Sequence, residues 1–418
     1  MEHYSGVLVL LTSEFPYGLG ETFLEEEIEY LSKHFRKIII ISEYSGDKPQ
    51  RFVPQNCEVI KYNPQNEIKF KWLAILMIFH YYTWIELYYI VLVYKLALTK
   101  VTISTLLLSL FVGLKYKSFL KRILDKNKEQ PLVFYSYWCM NSAVALALLK
   151  KEVKKIFCVS RAHRWDLYFE VSKYLPFRFL INKHINLLFP ISTSGEDYIK
   201  TRWKTEASKV ILSRLGVRKQ TPIEVSGNDG LTLISCSSLT VVKRVVLIAY
   251  AIKELDGKIP ITWIHIGDGP EAGNIDKVVK TFNNSVKTIF TGYVRNKEVF
   301  DIYHQYKPHV FVNVSESEGL PVSIMEAMSL AVPVVATNVG GTAEIVNNEN
   351  GWLLRANFSV DELSALLYDI YKNKSYIPKK QNAYMTWKNF YDADINYKKF
   401  ASTLVSLHQN FLKSVISD

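Results

Sequence analysis

Short apolar runs alternate with stretches of helical periodicity along nearly the whole chain. That alternation is the mark of α/β layers. In the first half, runs at Val7–Leu11, Lys37–Ser42, Leu132–Tyr135, Ile156–Ser160 and Leu187–Pro190 predict buried strands. Glu21–Phe35 predicts a helix whose acidic first turn suits the helix dipole. Residues 216–230 are polar, with three glycines and one proline, and predict an interdomain linker. A second series follows, with strands at Leu231–Cys236, Thr262–Ile266, Val286–Phe290, His309–Val314, Val332–Ala336 and Trp352–Leu354, and a helix at Val241–Leu255. Ala383–Val415 predicts a long terminal helix. Two doubly wound units are expected, because 418 residues exceed one ordinary core. Ligands of open α/β sheets bind at the carboxyl ends of strands, so a cleft between the units is the expected site.

One stretch breaks the pattern. Residues Trp72–Leu98 are apolar almost all round, apart from a narrow polar stripe of His80, Thr83 and Glu86. A basic cluster follows, from Lys115 to Lys128. The length allows a membrane-spanning helix. Glu86 would then sit mid-span, costing about 2–3 kcal/mol. A single crossing would also put Val7–Leu11 and Leu132–Tyr135 on opposite sides of the bilayer. Two other expectations remain open and compatible: helices packed on the first sheet, or a face lying on anionic lipid, anchored by aromatic and basic residues.

Charge and cysteine content narrow the classes. The net charge of +11 favours an anionic partner: a nucleotide, a membrane surface or nucleic acid. The basic residues fall in no nucleic-acid-binding motif, and we expect no nucleic acid. The four cysteines are scattered without CxxC or metal spacing, which predicts free thiols in a reducing compartment. The apolar run Val7–Leu11 is too short for a secretory signal, and a strand leading to a Gly-rich turn is expected.

The chemistry concentrates between Glu318 and Glu344. Glu318 and Glu326 flank a Gly/Pro-containing turn that opens a helix. Gly319 lets backbone approach a ligand. The N–H groups around Leu320, Val322 and Ser323 can donate to phosphate. A carboxylate at each end can grip hydroxyls, Glu318 on a sugar and Glu326 on a ribose. A phosphate with hydroxylated groups on both sides describes a nucleotide sugar. The plain alternative, two solvated helix-end glutamates, loses ground because Pro333-Val-Val-Ala-Thr337 and Gly340-Gly-Thr-Ala-Glu344 follow in register.

With these motifs, Phe290–Leu354 resembles the donor half of retaining glycosyltransferases of family 4, which have GT-B architecture. Gly267-Asp-Gly-Pro270 and Phe290-Thr-Gly292 match further family elements, and Ser237–Lys243 aligns with its Ser-Arg-Leu-x-x-x-Lys. Lys243 fits a diphosphate-binding, catalytic role. Ser238 stands where the family has arginine, and Arg244 where it has glycine. The resemblance therefore leaves the diphosphate to Lys243, the helix start, and Arg244 or Arg161.

In the first half, the resemblance implies a Gly-rich donor loop at Gly18 and Gly20, followed by Glu21 as an acceptor-side or orienting residue. It implies a catalytic histidine, His163, facing the transferring sugar. Asp166 would orient it or bind acceptor, and Tyr137 and Arg161 belong to the same acceptor-side group. A satisfied core histidine is the alternative for His163. Tyr135-Ser-Tyr-Trp138 together with Ser160-Arg-Ala-His-Arg-Trp-Asp166 is most similar to the exopolysaccharide branch typified by amylovoran-biosynthesis transferases.

The implied fold is α/β with GT-B architecture: two Rossmann-like domains facing across a cleft, with an apolar helical insert. Expected boundaries are 1–220 for an acceptor-binding domain, with the insert at about 67–125. Residues 221–385 form the nucleotide-sugar domain, and 386–418 a helix returning to the first. The implied reaction is retaining, metal-independent transfer from a UDP-sugar, or a GDP-sugar, to a saccharide or lipid-linked oligosaccharide. No cofactor is expected. Asp392-Ala-Asp394 imitates a metal motif but lies among aromatic residues of the tail, as surface carboxylates. A cytoplasmic enzyme, peripheral on the inner face of the cell membrane, is expected. The rivals are a nonhydrolysing nucleotide-sugar epimerase and a degenerate, non-catalytic transferase subunit.

Overall fold

The computed structural model describes residues 4–18, 20–44, 46, 51–65, 71–224 and 230–417. The expected linker's residues 225–229, and 67–70 at the start of the insert, lie outside the described residues. The chain divides into two compact units, Met1–Arg214 with Tyr397–Asp418, and Leu215–Asn396. Both are doubly wound Rossmann-like units.

In the first unit the strands are β1 (Tyr4–Thr12), β2 (Phe35–Ser42), β3 (Cys57–Lys61), β4 (Leu132–Ser136), β5 (Phe157–Ala162) and β6 (Leu187–Pro190). They form one parallel sheet in the order β3-β2-β1-β4-β5-β6. Residues Val7 to Leu11 are buried on both faces, as parallel central strands require. One face packs on helices Lys100–Lys126 and Asn141–Glu152. The other packs on helix Leu24–His34 and on Phe400, Ala401 and Leu404 of the last helix. The strand order reverses between β1 and β4, which makes their carboxyl ends the ligand-binding crevice of this unit. β3 was not expected: it is a short edge strand with exposed Glu58 and Lys61, the charges that protect a sheet edge.

The second unit repeats the plan with β7 (Leu231–Cys236), β8 (Ile261–Ile266), β9 (Val286–Phe290), β10 (Val310–Asn313), β11 (Val334–Thr337) and β12 (Gly351–Leu354), in the order β12-β11-β10-β7-β8-β9. Its switch point lies between β7 and β10. The helix expected at 241–255 is interrupted. Arg244, at φ +49°, separates a single 3-10 turn, Val241–Lys243, from helix Val245–Leu255. The tail also splits, into Ile377–Phe390 and Ala393–Ser417. Asp392 accepts the Asp394 N–H at 2.9 Å and so caps the last helix.

The insert is a 3-10 segment Lys71–Phe79, helix Tyr81–Tyr88, a π turn Tyr89–Val93 and helix Lys100–Lys126. The last is long and apolar enough to cross a membrane, and the bent pair before it would pass together. Strands β3 and β4, on either side of the insert, lie in the same sheet. Glu86 is fully buried. Its Oε1 accepts the Tyr174 hydroxyl at 2.7 Å and the Phe177 N–H at 2.8 Å. Burial pushes its carboxyl up to about 7, against those two hydrogen bonds and nearby Arg178.

Candidate active site

In the first unit, the loops after β1, β4 and β5 meet at neighbouring strand ends. Glu21 ties two of them together. Its carboxylate accepts N–H groups from Ser13 (2.9 Å), Glu14 (2.8 Å) and Phe15 (2.6 Å), and the indole N–H of Trp138. Glu14 in turn accepts the Gly20 N–H at 2.8 Å. Gly18 is buried and bonds to the Glu14 carbonyl at 3.0 Å. These loop donors already hold acceptors, and two carboxylates sit among them. That changes the expectation of a donor loop at Gly18 and Gly20: Glu21 organises the loop.

His163 follows β5. Its ring is buried against Trp138, Tyr137 and Phe23, at centroid distances of 4.4, 4.9 and 5.9 Å. Neither ring nitrogen has a hydrogen-bond partner among the described residues. A buried polar atom without a partner costs about 1–3 kcal/mol, so the ring is placed to take a hydrogen-bonding group. Asp166 is fully buried and holds the loop: it accepts the His163 N–H at 2.7 Å and the Cys139 N–H at 2.6 Å. One of its oxygens lies 3.7 Å from His163 Nδ1. Burial pushes the Cys139 thiol up to about 11, so it is no thiolate nucleophile.

Arg161 and Tyr137 are not acceptor contacts. Arg161 is fully buried, 3.0 Å from Glu27, donating to the Tyr135 hydroxyl at 2.8 Å and the Ser213 carbonyl at 3.0 Å. It is a core cation, taken up in holding helix Leu24–His34 to β4 and β5. Tyr137 is equally buried and forms one wall beside His163.

In the second unit, the donor motifs converge on the carboxyl ends of β7, β8 and β10. Lys243 Nζ lies 2.7 Å from Glu318 Oε1, which Asn313 Nδ2 also approaches at 3.3 Å. Glu318 and Glu326 are both nearly buried. Glu326 accepts the Asn296 amide at 2.7 Å. Helix Val322–Ser329 begins after Pro321 with no side-chain cap, leaving its positive end to Val322 and Ser323, just after Gly319 and Leu320. Gly340, at φ +52°, passes so close to the Glu318 carbonyl that a Cβ would collide with it. Gly267, at φ +130°, is pressed on Ser237 O in the same way, and its N–H bonds to Gly292 O at 3.0 Å. These glycines let the three loops close around the Glu318 turn.

Ser238 is exposed and replaces no cation. Arg244 does not replace one either, contrary to expectation. Its guanidinium donates to the carbonyls of Val314 (2.8 Å), Ala356 (2.9 Å) and Ser315 (3.1 Å). It therefore fixes the end of β10, and burial lowers its pKa. Asn313, Asn296, Trp138 and Phe23 were not foreseen as site residues. Asn313 carried a usable signal, an amide at the end of an apolar strand. Asn296 carried none.

Residues 218–386 match the family described as "Glycosyl transferases group 1". The chain is 28% identical over 247 residues to the Escherichia coli protein named "O-antigen biosynthesis glycosyltransferase WbnH", a stretch covering 56% of this chain and 66% of that one. By fold it is similar to a glycosyltransferase from Rickettsia africae (TM-score 0.66, 13% identity, 98% of this chain and 100% of that one). It is also similar to Anabaena Alr3699/HepE, solved in complex with UDP (TM-score 0.64, 16% identity, 96% and 99%).

Proposed function

We propose that this chain is a glycosyltransferase of the retaining family-4 kind. It moves a glycosyl group from a nucleoside-diphosphate sugar to a saccharide hydroxyl, in the assembly of a bacterial surface polysaccharide. One observation carries the proposal: Lys243 and Glu318 meet at 2.7 Å beside the uncapped start of helix Val322–Ser329, inside the segment that matches the group 1 family. A UDP-sugar is favoured over a GDP-sugar, supported by the UDP bound to a neighbour of the same fold. The O-antigen relative supports a polysaccharide acceptor, and we assign a lipid-linked oligosaccharide. The Tyr135–Trp138 and Ser160–Asp166 motifs favour the exopolysaccharide branch.

In the proposed reaction the bond between the anomeric carbon and the diphosphate oxygen breaks. The acceptor oxygen forms its bond on the same face, and its proton passes to the leaving diphosphate. Lys243 and the N–H groups of Val322 and Ser323 take up the developing negative charge, without a metal. Glu318 positions the sugar and Glu326 the ribose. His163 is assigned to the transferring sugar by the family resemblance, supported by ring nitrogens that hold no hydrogen bond among the described residues. The enzyme acts on the cytoplasmic side, where we place its donor.

The test is a panel of nucleotide sugars with purified protein, read by thermal shift and then by nucleotide release. UDP release from a UDP-sugar, unchanged by EDTA, is expected. Interconversion of a nucleotide sugar without acceptor would assign an epimerase instead. No turnover of any donor would leave a binding subunit.

A further inference from the structure

We propose that the insert 71–103 is a monotopic docking surface for an anionic phospholipid bilayer, entering one leaflet without crossing it. This goes beyond the transferase proposal and does not rest on it. The first observation is concentration. Of the 25 large apolar side chains exposed among the described residues, 13 lie between Ile75 and Ile103. Phe79 is 84% exposed, Val101 69%, Leu92 63% and Trp84 61%. Scattered exposed apolar residues need no explanation, but a clustered set does.

The second observation is the direction of the amphipathic pattern. Helix Tyr81–Tyr88 buries Thr83 and Glu86 and exposes Trp84, Ile85 and Tyr88. A helix facing water does the reverse. Glu86 is held from inside by Tyr174 and the Phe177 N–H, and Thr83 donates to the Met77 carbonyl. Glu86 is therefore spent on attaching the insert to its own domain, and Thr83 on a turn within the insert. What remains outside is apolar, with Trp84, Tyr81 and Tyr88 of the type that gathers at membrane interfaces.

The third observation is charge. Among described positions 73–103, the exposed charged side chains are Lys95 and Lys100, and the sole carboxylate, Glu86, is buried. Lys151 lies against the Tyr81 and Tyr82 rings at the margin. A cationic rim on an apolar aromatic face is complementary to anionic headgroups over acyl chains. Helix Lys100–Lys126 does not add a crossing: it buries Leu106, Leu110, Tyr116 and Leu120 in the core of the first unit.

The test uses the full-length protein with two kinds of vesicle, phosphatidylcholine alone and phosphatidylcholine with phosphatidylglycerol, in flotation and sedimentation-velocity experiments. Wild type should float with the phosphatidylglycerol vesicles and partition several-fold less onto phosphatidylcholine. The double variant Phe79→Glu/Trp84→Glu changes exposed side chains only. It should lose at least tenfold in partitioning while keeping its melting temperature. Lys95→Ser/Lys100→Ser should weaken binding in proportion to lipid charge. Wild type that stays unbound at low salt, or a double variant that floats as well as wild type, would overturn the proposal. So would a wild-type dimer that becomes monomeric in the double variant without any lipid binding, because the face would then belong to a second copy of the chain.

Discussion

Lys243 and Glu318 form an ion pair in a nearly buried turn, so any diphosphate that recruits the lysine competes with that carboxylate. Their variants should therefore differ. Lys243→Ala removes positive charge from the leaving group and should raise the donor KM about tenfold and lower kcat by about two orders of magnitude. Glu318→Ala should abolish transfer while UDP binding, measured by calorimetry, stays within a few-fold of wild type. Full activity in Glu318→Ala would sink the assignment. Arg244 tests the opposite kind of role. Lysine at this position loses the fork that reaches three carbonyls, which should cost about 1–3 kcal/mol in denaturant unfolding and leave UDP affinity unchanged. A tenfold loss of affinity at constant stability would place Arg244 on phosphate. The sequence pointed to Glu318 and Glu326 because their spacing is local to a strand–turn–helix, and to Lys243 through its register with the family motifs. It misplaced Arg161 and Arg244 because a cation near a phosphate motif reads the same whether it faces ligand or closes a carbonyl cluster. Only the burial of Arg161 against Glu27 separates the two.

At the scale of elements, eleven strands and the first helix were readable from apolar runs, since central parallel strands are buried on both faces. The β11 segment shifted by a residue or two at its ends, and β3 escaped because edge strands carry little apolar signal. The insert was the hard case: its composition left packed helices and a lipid-facing surface open, and it did not show which side chains stay outside once Glu86 turns inward. That side chain also makes a pH prediction. Its folded carboxyl is raised to about 7 from an ordinary 4.5, so the native state holds the proton more tightly than the unfolded chain. The resulting stabilisation is complete below about pH 4.5 and is lost as pH rises through about 7. The loss is on the order of 3 kcal/mol. Glu86→Gln keeps the acceptor oxygen for Tyr174 and the Phe177 N–H but cannot titrate. The stability of wild type relative to Glu86→Gln should fall between pH 5 and 7 in thermal unfolding. A constant difference across that range would show that Glu86 titrates as an ordinary carboxylate.

For the whole molecule, the decisive feature is that the first unit is discontinuous in sequence. Residues from Tyr397 onward belong to it although the second unit intervenes. Phe400, Ala401 and Leu404 complete one of its two cores, and Phe400 covers the Arg161 guanidinium at 4.4 Å. Tyr4 and His408 are joined at 2.9 Å, linking the two ends of the chain. Burying Phe400 and Leu404 contributes about 1.5–3 kcal/mol each. A chain ending at Asn396 also exposes the Arg161–Glu27 pair to water. Together these losses approach the 5–15 kcal/mol that holds a typical domain. The truncated chain should therefore lose amide protection throughout 4–214. Residues 215–396, whose core is contiguous, should keep their protection and their UDP-induced shift. Leu404→Ala in the full-length protein is the milder test, with an expected loss of about 2–4 kcal/mol. Burial also holds the His408 imidazole down at about 4, so its share of stability is present above about pH 6.5 and disappears as pH falls toward 4, opposite in sign to Glu86. Uniform loss of protection in both units on truncation would mean that the terminal helix supports the whole chain. Unchanged protection in 4–214 would mean that it supports neither.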